Sequence, residues 1–188
     1  MNKTPDETLV TDYRNGDASA FELLVRRYQG ALYSFVYRAI GGGPDAADIC
    51  QQAFVRAFVN LDQLTDPAGF KPWLFRIAVN LVQDQYRADR RRSAAQVANW
   101  NDSPAVSASA FDSTMAAEER ERANQLLARL PETQRFTIYL RFYQGLKFEE
   151  IAQVMGSPVG TVKANYHHGM RRLRQLLATA TESDASGM

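Results

Sequence analysis

Apolar residues recur every three or four positions over most of this chain, which is the period of an amphipathic helix and not the period-two alternation of a strand. No strand pattern of any length appears. Thr4-Pro5-Asp6-Glu7 reads as a capping box opening a first helix, with Pro at its first position. Asn15-Gly16-Asp17 is a turn, and Asp17 can cap a second helix whose stripe is Phe21, Leu24, Val25, Tyr28, Leu32, Phe35 and Val36. Gly41-Gly42-Gly43-Pro44 ends it and starts a third, with Ile49, Cys50, Ala53, Phe54, Ala57, Phe58 and Leu61 on one face. Leu61 to Pro72 reads as a loop. A fourth helix is predicted from about Trp73 to Arg92, burying Leu74, Ile77, Ala78, Leu81 and Val82.

A second helical unit follows. One helix is predicted from about Ala117 to Leu130, and Pro131 opens the next, which ends near Gly145. Phe148 to Met155, a break at Gly156-Ser157-Pro158 and a helix to about Leu177 form a short helix, a tight turn and a longer basic helix, the pattern of a helix-turn-helix. Ser157 is the expected N-cap of that last helix and Pro158 its first residue. Val159, Val162, Tyr166, Met170, Leu173 and Leu177 form its inward stripe. The expected fold class is all-α: two small helical domains joined by a flexible linker.

The linker shows in composition. Of the 25 residues 93–117, eight are Ala and five Ser, and none is Lys or Arg. Trp100 and Phe111 are out of place in an inert tether, and the sequence does not assign them a role. Residues 179–188 are small and polar and read as a frayed tail. The whole chain has 188 residues and a formal net charge of +1, which does not announce a nucleic-acid binder. Its distribution says more. Basic residues gather at Arg87, Arg90, Arg91 and Arg92, and again at Lys163, Arg171, Arg172 and Arg174 with no acid between them. A local basic cluster on a helix can be a phosphate footprint in a neutral chain, or simply a solvated face.

Other chemistry is excluded by counting. One Cys allows no intramolecular disulfide and no cysteine-clustered zinc site, and His167 and His168 point about 100° apart on a helix, which suits no single metal. No cofactor, metal or small-molecule substrate is expected. Asp84, Asp89 and the His pair offer no convergent acid–base or nucleophilic arrangement. No apolar leader and no run of 18 apolar residues is present, so a soluble cytoplasmic protein without membrane insertion is expected.

Three polar faces remain. On the last helix Thr161, Asn165, His168 and Arg172 lie opposite the apolar stripe, flanked by Lys163, His167, Arg171 and Arg174. Asn suits the N6/N7 edge of adenine and Arg the O6/N7 edge of guanine, and such a helix enters the major groove. Many amphipathic helices show a similar face, and Gly169 in mid-helix costs about 1 kcal/mol against Ala. On the fourth helix Trp73, Arg76, Asn80, Asp84 and Arg87 form a line suited to single-stranded bases, or an ordinary polar face with one half-buried Trp. On the third, Asp45, Asp48, Gln51, Gln52 and Arg56 lie beside Val55 and Val59, as in a protein-docking surface or a common solvent face.

In order and spacing these stretches resemble a bacterial RNA polymerase sigma factor of the extracytoplasmic-function group. Asp45-Ala-Ala-Asp-Ile-Cys-Gln-Gln-Ala-Phe54 is similar to that family's polymerase-docking helix. Phe70-Lys-Pro-Trp-Leu-Phe-Arg-Ile-Ala-Val-Asn80, followed by the Arg run, is similar to its −10 helix. Leu130-Pro-Glu-Thr-Gln-Arg135, Gly145-Leu-Lys-Phe-Glu-Glu-Ile-Ala152 and Pro158-Val-Gly-Thr-Val-Lys163 are similar to its second DNA-binding domain. The resemblance implies a region 2 bundle over 1–92, a linker over 93–117, a region 4 helix-turn-helix domain over 118–178 and a tail over 179–188. It implies docking on the polymerase clamp through Asp45, Asp48, Gln51, Gln52, Val55 and Arg56. The −10 element would be held by Trp73, Arg76, Asn80, Asp84, Arg87, Arg90 and Arg91, with Arg92 at the end of the run and the loop from Asp62 to Phe70 alongside. The −35 element would be read by Thr161, Lys163, Asn165, His167, His168, Arg171 and Arg172, while the second domain rests on the polymerase flap. An anti-sigma factor is the expected restraint.

The chain departs from the family pattern at three points. Gln52 stands where Glu is frequent, Lys147 where a Ser often caps a helix, and Ala164-Asn165-Tyr166 where Ser-Arg-Leu is common. Two other readings stand beside this one. A sigma mimic that sequesters an anti-sigma factor would lose the DNA-reading residues. A stand-alone helix-turn-helix regulator leaves 1–92 unexplained.

Overall fold

The computed structural model describes the backbone of residues 4–95 and 122–185 and the side chains of residues 4–91 and 122–179. Its helices are α1 (Asp6–Arg14), α2 (Ala18–Ala39), α3 (Asp45–Val59), α4 (Phe70–Ala95), α5 (122–128), α6 (Glu132–Ile138), α7 (Phe148–Met155) and α8 (Val159–Ala185), and no strand occurs among the described residues. The chain divides into two compact units, one carrying α1 to α4, the other α5, α6, α8 and most of α7. Residues 96–117, with Trp100 and Phe111, lie outside the described residues.

In the first unit α2 packs on α1, α3 and α4. Leu24, Leu32, Phe35, Val36, Phe70, Leu74 and Phe75 are buried between them, and the rings of Phe35 and Phe75 meet edge-on at 5.6 Å. Phe75 and Val79 belong to this core although the predicted stripe omitted them, while Ile77 is only half-buried. Phe58 departs from its predicted place too: it is 49% exposed and closes a small aromatic group with Tyr13 and Phe21 at the end of α3.

Two helix starts differ from expectation. Thr4 forms no cap, and Pro5 is the N-cap residue of α1. The reason is tertiary: the Thr4 carbonyl accepts from Arg27 at 2.6 Å, and the Asp6 carboxylate pairs with Arg27 and accepts from the Tyr28 hydroxyl. Asp17, by contrast, caps α2 through the Ser19 N–H at 2.9 Å. The Ser19 hydroxyl and N–H hold its carboxyl below the usual carboxylate range. The other start is α4, which begins at Phe70 rather than Trp73 and carries Pro72 in its first turn. An orphan N–H would stand there in any case, so proline costs no hydrogen bond.

Cys50 is buried against the core, and loss of water around the thiol pushes its pKa up to about 12. The unfolded chain ionises this thiol near pH 9 and the folded one does not, so its contribution to stability is full below pH 9 and is lost as pH rises towards 12. Native protein should resist iodoacetamide at pH 8 and be alkylated at once in urea. Rapid native labelling would show that the site opens.

In the second unit Leu127, Leu130 and Ile138 are buried, with Tyr166, Met170 and Leu173 packed against them. After α6 a π-helical turn, Tyr139–Tyr143, was not foreseen. Its last residues leave Phe142 71% exposed. The turn between α7 and α8 passes through Gly156 at φ +58°, a left-handed position that favours glycine. Val162 N–H bonds Pro158 C=O, so α8 starts at Val159, later than predicted. It runs on to Ala185, where the apolar stripe had suggested an end near Leu177.

Gly169 now has a reason. A Cβ there would lie 2.7 Å from Ile138 Cδ1 and 3.2 Å from Gln134 Cβ, so the missing side chain lets α8 lie close on α6. Gly169→Ala gains about 1 kcal/mol of helix propensity but overpacks a buried contact, at a cost of about 1–3 kcal/mol. A net loss of thermal stability is expected, partly recovered by adding Ile138→Val. A more stable single variant would show that Ile138 swings aside freely.

Candidate nucleic-acid interface

The loop before α4 is held rigidly. Asp66 caps a short 3₁₀ turn at Pro67–Gly69 through the Ala68 N–H (3.1 Å), and Arg14 of α1 donates to the carbonyls of Leu61 (2.8 Å) and Leu64. A pinned loop fixes where α4 begins and therefore which of its residues face outward.

Along α4, Arg76, Asn80, Asp84, Arg87, Arg90 and Arg91 are exposed and Trp73 is half-buried. The structure separates this line into two parts. Trp73, Arg76 and Asn80 border one open cleft of about 230 Å³, shared with Arg56, Asn60, Gln63 and Ile77. That is below the roughly 300 Å³ at which drug-sized ligand sites begin, and its lining of an indole, two guanidinium groups and three amides suits the face and edge of a single base. Asp84, Arg87, Arg90 and Arg91 do not line the cleft and lie further along the helix. Asp84 holds Arg87 at 2.8 Å in an exposed pair. The Arg91 side chain donates to the Arg87 carbonyl at 3.2 Å. Exposed pairs of this kind contribute little to stability and leave the arginines available to phosphates.

Asn60 was missed in the sequence, and Gln63 entered only within the loop from Asp62 to Phe70. Gln63 donates to Asn60 Oδ1 at 2.9 Å, and Asn60 donates to the Arg56 carbonyl at 2.8 Å, so the amides are ordered by one another. Their signal was only that polar residues follow α3 directly, which any loop shows. Arg56, assigned from the sequence to the docking face of α3, also lines this cleft.

On α3, Asp45, Asp48, Gln51, Gln52, Val55 and Arg56 are all exposed, with Val55 at 54% and Val59 at 70%. Ala46, Ile49, Cys50, Ala53 and Ala57 take the buried side. The outer face of α3 is therefore polar at its start and apolar at its end.

On α8, Thr161, Lys163, His167, His168, Arg171 and Arg172 are exposed. Asn165 differs: it is half-buried, at the border of the inward stripe rather than opposite it. The buried face centres on Val162 and Gly169, and Asn165 falls within one helical step of that line. Arg171 donates to Nδ1 of His168 at 3.2 Å. Under this helix, Glu150 accepts from the Lys147 N–H at 2.6 Å, so α7 keeps half of a capping box without a serine. Among the described residues no cluster of three metal-ligating side chains occurs, and no helix is long and apolar enough to cross a membrane.

Comparison with known proteins agrees on both units. Residues 24–92 match the Sigma-70 region 2 family and residues 120–173 match Sigma-70, region 4. The chain is 38% identical to the ECF RNA polymerase sigma-E factor of Escherichia coli K12 over 172 residues, covering 85% of this chain and 87% of that protein. It is 32% identical to the ECF RNA polymerase sigma factor SigW of Bacillus subtilis 168 over 176 residues, covering 89% and 94%. Among solved structures it is similar to CnrH in complex with the cytosolic domain of CnrY, with a TM-score of 0.70 and 28% identity over 93% of this chain and 97% of that one. Matches to both regions, in order and across most of the chain, establish that it belongs to the extracytoplasmic-function group of the sigma-70 family, whose members serve transcription initiation and are not enzymes.

Proposed function

We propose that this sigma factor divides its work as follows. Residues 1–92 form the region 2 domain, 93–117 a linker that threads through the polymerase, 118–178 the region 4 domain and 179–188 a tail. The exposed face of α3, from Asp45 to Arg56, docks on the clamp of core RNA polymerase. The cleft at Trp73, Arg76 and Asn80 takes a base flipped from the −10 strand, with Arg87, Arg90 and Arg91 on the following phosphates. Unstacking a base costs a few kcal/mol, so capture in the cleft must offset it. The exposed row of α8 lies in the major groove of the −35 element while its domain rests on the flap. The protein works in the cytoplasm, where polymerase and promoter DNA are.

The observation that carries this reading is that each unit presents an exposed polar row along one long helix: basic and amide side chains at Arg76 to Arg91, and a hydroxyl and basic side chains at Thr161 to Arg172. CnrH, which shares the fold, is seen in complex with the cytosolic domain of CnrY. By analogy this chain is held inactive by an anti-sigma polypeptide. Run-off transcription with purified protein, core polymerase and a promoter library at low salt tests the whole. Initiation from sequences sharing two spaced elements is expected. Core binding without initiation would favour a mimic of sigma, and DNA binding without core binding a stand-alone regulator.

A further inference from the structure

Phe148 opens α7, and its ring gathers the cations around the helix-turn-helix. The Arg141 guanidinium carbon lies 5.1 Å from the ring centroid and Lys163 Nζ 5.9 Å from it. Tyr166, one turn after Lys163 on α8, meets the same ring edge-on with centroids 5.5 Å apart. Arg141 is further fixed by a 3.0 Å hydrogen bond from Nη1 to the Leu146 carbonyl. Among the described residues neither cation is in a salt bridge.

An aromatic face attracts an ammonium or guanidinium within about 6 Å of its centroid and leaves the charge un-neutralised. A carboxylate in that place would hold the cations as well, but would cancel their charge and repel a phosphate. Ordering a free lysine at the moment of binding costs conformational entropy, and a group that orders it beforehand removes part of that cost.

We infer that Phe148 is a positioning residue for DNA binding: its ring orders Lys163 and Arg141 so that both meet backbone phosphates near the −35 element. Arg141 thereby joins the DNA-facing set. The inference deepens the proposed function and rests on Lys163 facing DNA.

The test uses holoenzyme assembled from the full chain and core polymerase, with a duplex promoter fragment recovered from the run-off library, and reads affinity as a function of salt. Each phosphate contact adds about 0.9 to the slope of log K against log salt. Phe148→Leu is expected to weaken binding roughly three- to fivefold and to make that slope shallower, and Phe148→Tyr to leave both as they were. In a Lys163→Gln background the penalty of Phe148→Leu should shrink, because half of what the ring positions is gone. Fully additive effects would overturn the inference while leaving Lys163 as a contact. No change of affinity or slope in Lys163→Gln alone would overturn the reading of Lys163, and the inference with it. A second readout needs neither DNA nor variants: ring current should move the Lys163 ε-methylene protons upfield in the NMR spectrum of the free full-length protein. Resonances at their unstructured position would overturn the inference.

Discussion

The double variant Trp73→Ala, Asn80→Ala should bind core polymerase like the parent and fail to open promoters. Both residues border the 230 Å³ cleft, and they are to supply different terms. An indole stacked on a base contributes about 1–3 kcal/mol, and an amide paired with the edge of the right base about 1–3 kcal/mol. Losing both removes about 2–6 kcal/mol from the step that must offset unstacking, a deficit large enough to abolish detectable initiation. Neither side chain is fully buried, so the fold should survive. Run-off transcription and permanganate reactivity of the −10 thymines check the first half of the claim, and co-purification with core polymerase checks the second. Normal melting by the double variant would remove the base-capture role from this cleft. Asn80→Ala alone should show a smaller defect that depends on the −10 sequence, because an amide, unlike a stacked ring face, pairs with the edge of a particular base.

A thermodynamic effect of similar size is expected where α1 meets α2. Asp6 pairs with Arg27 and accepts from the Tyr28 hydroxyl, and the side chains of Asp6 and Arg27 are only 17% and 18% exposed. Burial, with the Asp6 hydrogen bond second, pushes the Tyr28 pKa up, so the hydroxyl stays a donor throughout the working range of pH. Asp6→Ala leaves the Tyr28 phenol without its acceptor and the Arg27 guanidinium with only the Thr4 carbonyl, in a place largely closed to water. Breaking a buried pair in this way costs about 3–5 kcal/mol, and partial access of water lowers the expected loss to about 2–4 kcal/mol. Asp6→Asn, which keeps an acceptor and loses the charge, should cost less. Urea unfolding in a Trp100→Phe background, where Trp73 alone reports, measures both. Equal stability of Asp6→Ala and the parent would mean that the network is incidental.

These two sites differ in how far they could be seen in the sequence. The line Trp73, Arg76, Asn80 was visible because an α-helix puts residues three and four apart on one face, whatever surrounds it. That Arg56, Asn60 and Gln63 complete a cleft with them was not visible, since they come from the end of another helix and a loop. The Asp6 network was misread altogether. Thr4-Pro5-Asp6-Glu7 satisfies the local rule for a capping box, but Arg27 from α2 takes the Thr4 carbonyl and the Asp6 carboxylate, and the helix starts one residue later with Pro5 at its N-cap. Gly169 went the same way: a liability by helix propensity, it is a point of close approach once Ile138 of α6 is seen opposite.

Periodicity and turn chemistry act over a few residues, so the all-helical class, most of the helix boundaries, the capping by Asp17 and the amphipathic faces of α2, α3, α4 and α8 were determined by the sequence alone. The motifs and their spacing carried the family. What tertiary structure decided is everything that depends on residues distant in the chain. It set Phe58 half in solvent and Asn165 at the edge of the buried stripe. It made a cleft from three elements. It laid Arg141 and Lys163 against one phenyl ring. Local rules state what a segment can do; which of its side chains are taken by partners is settled only when helices pack, because burial and hydrogen-bond competition are properties of the assembled unit.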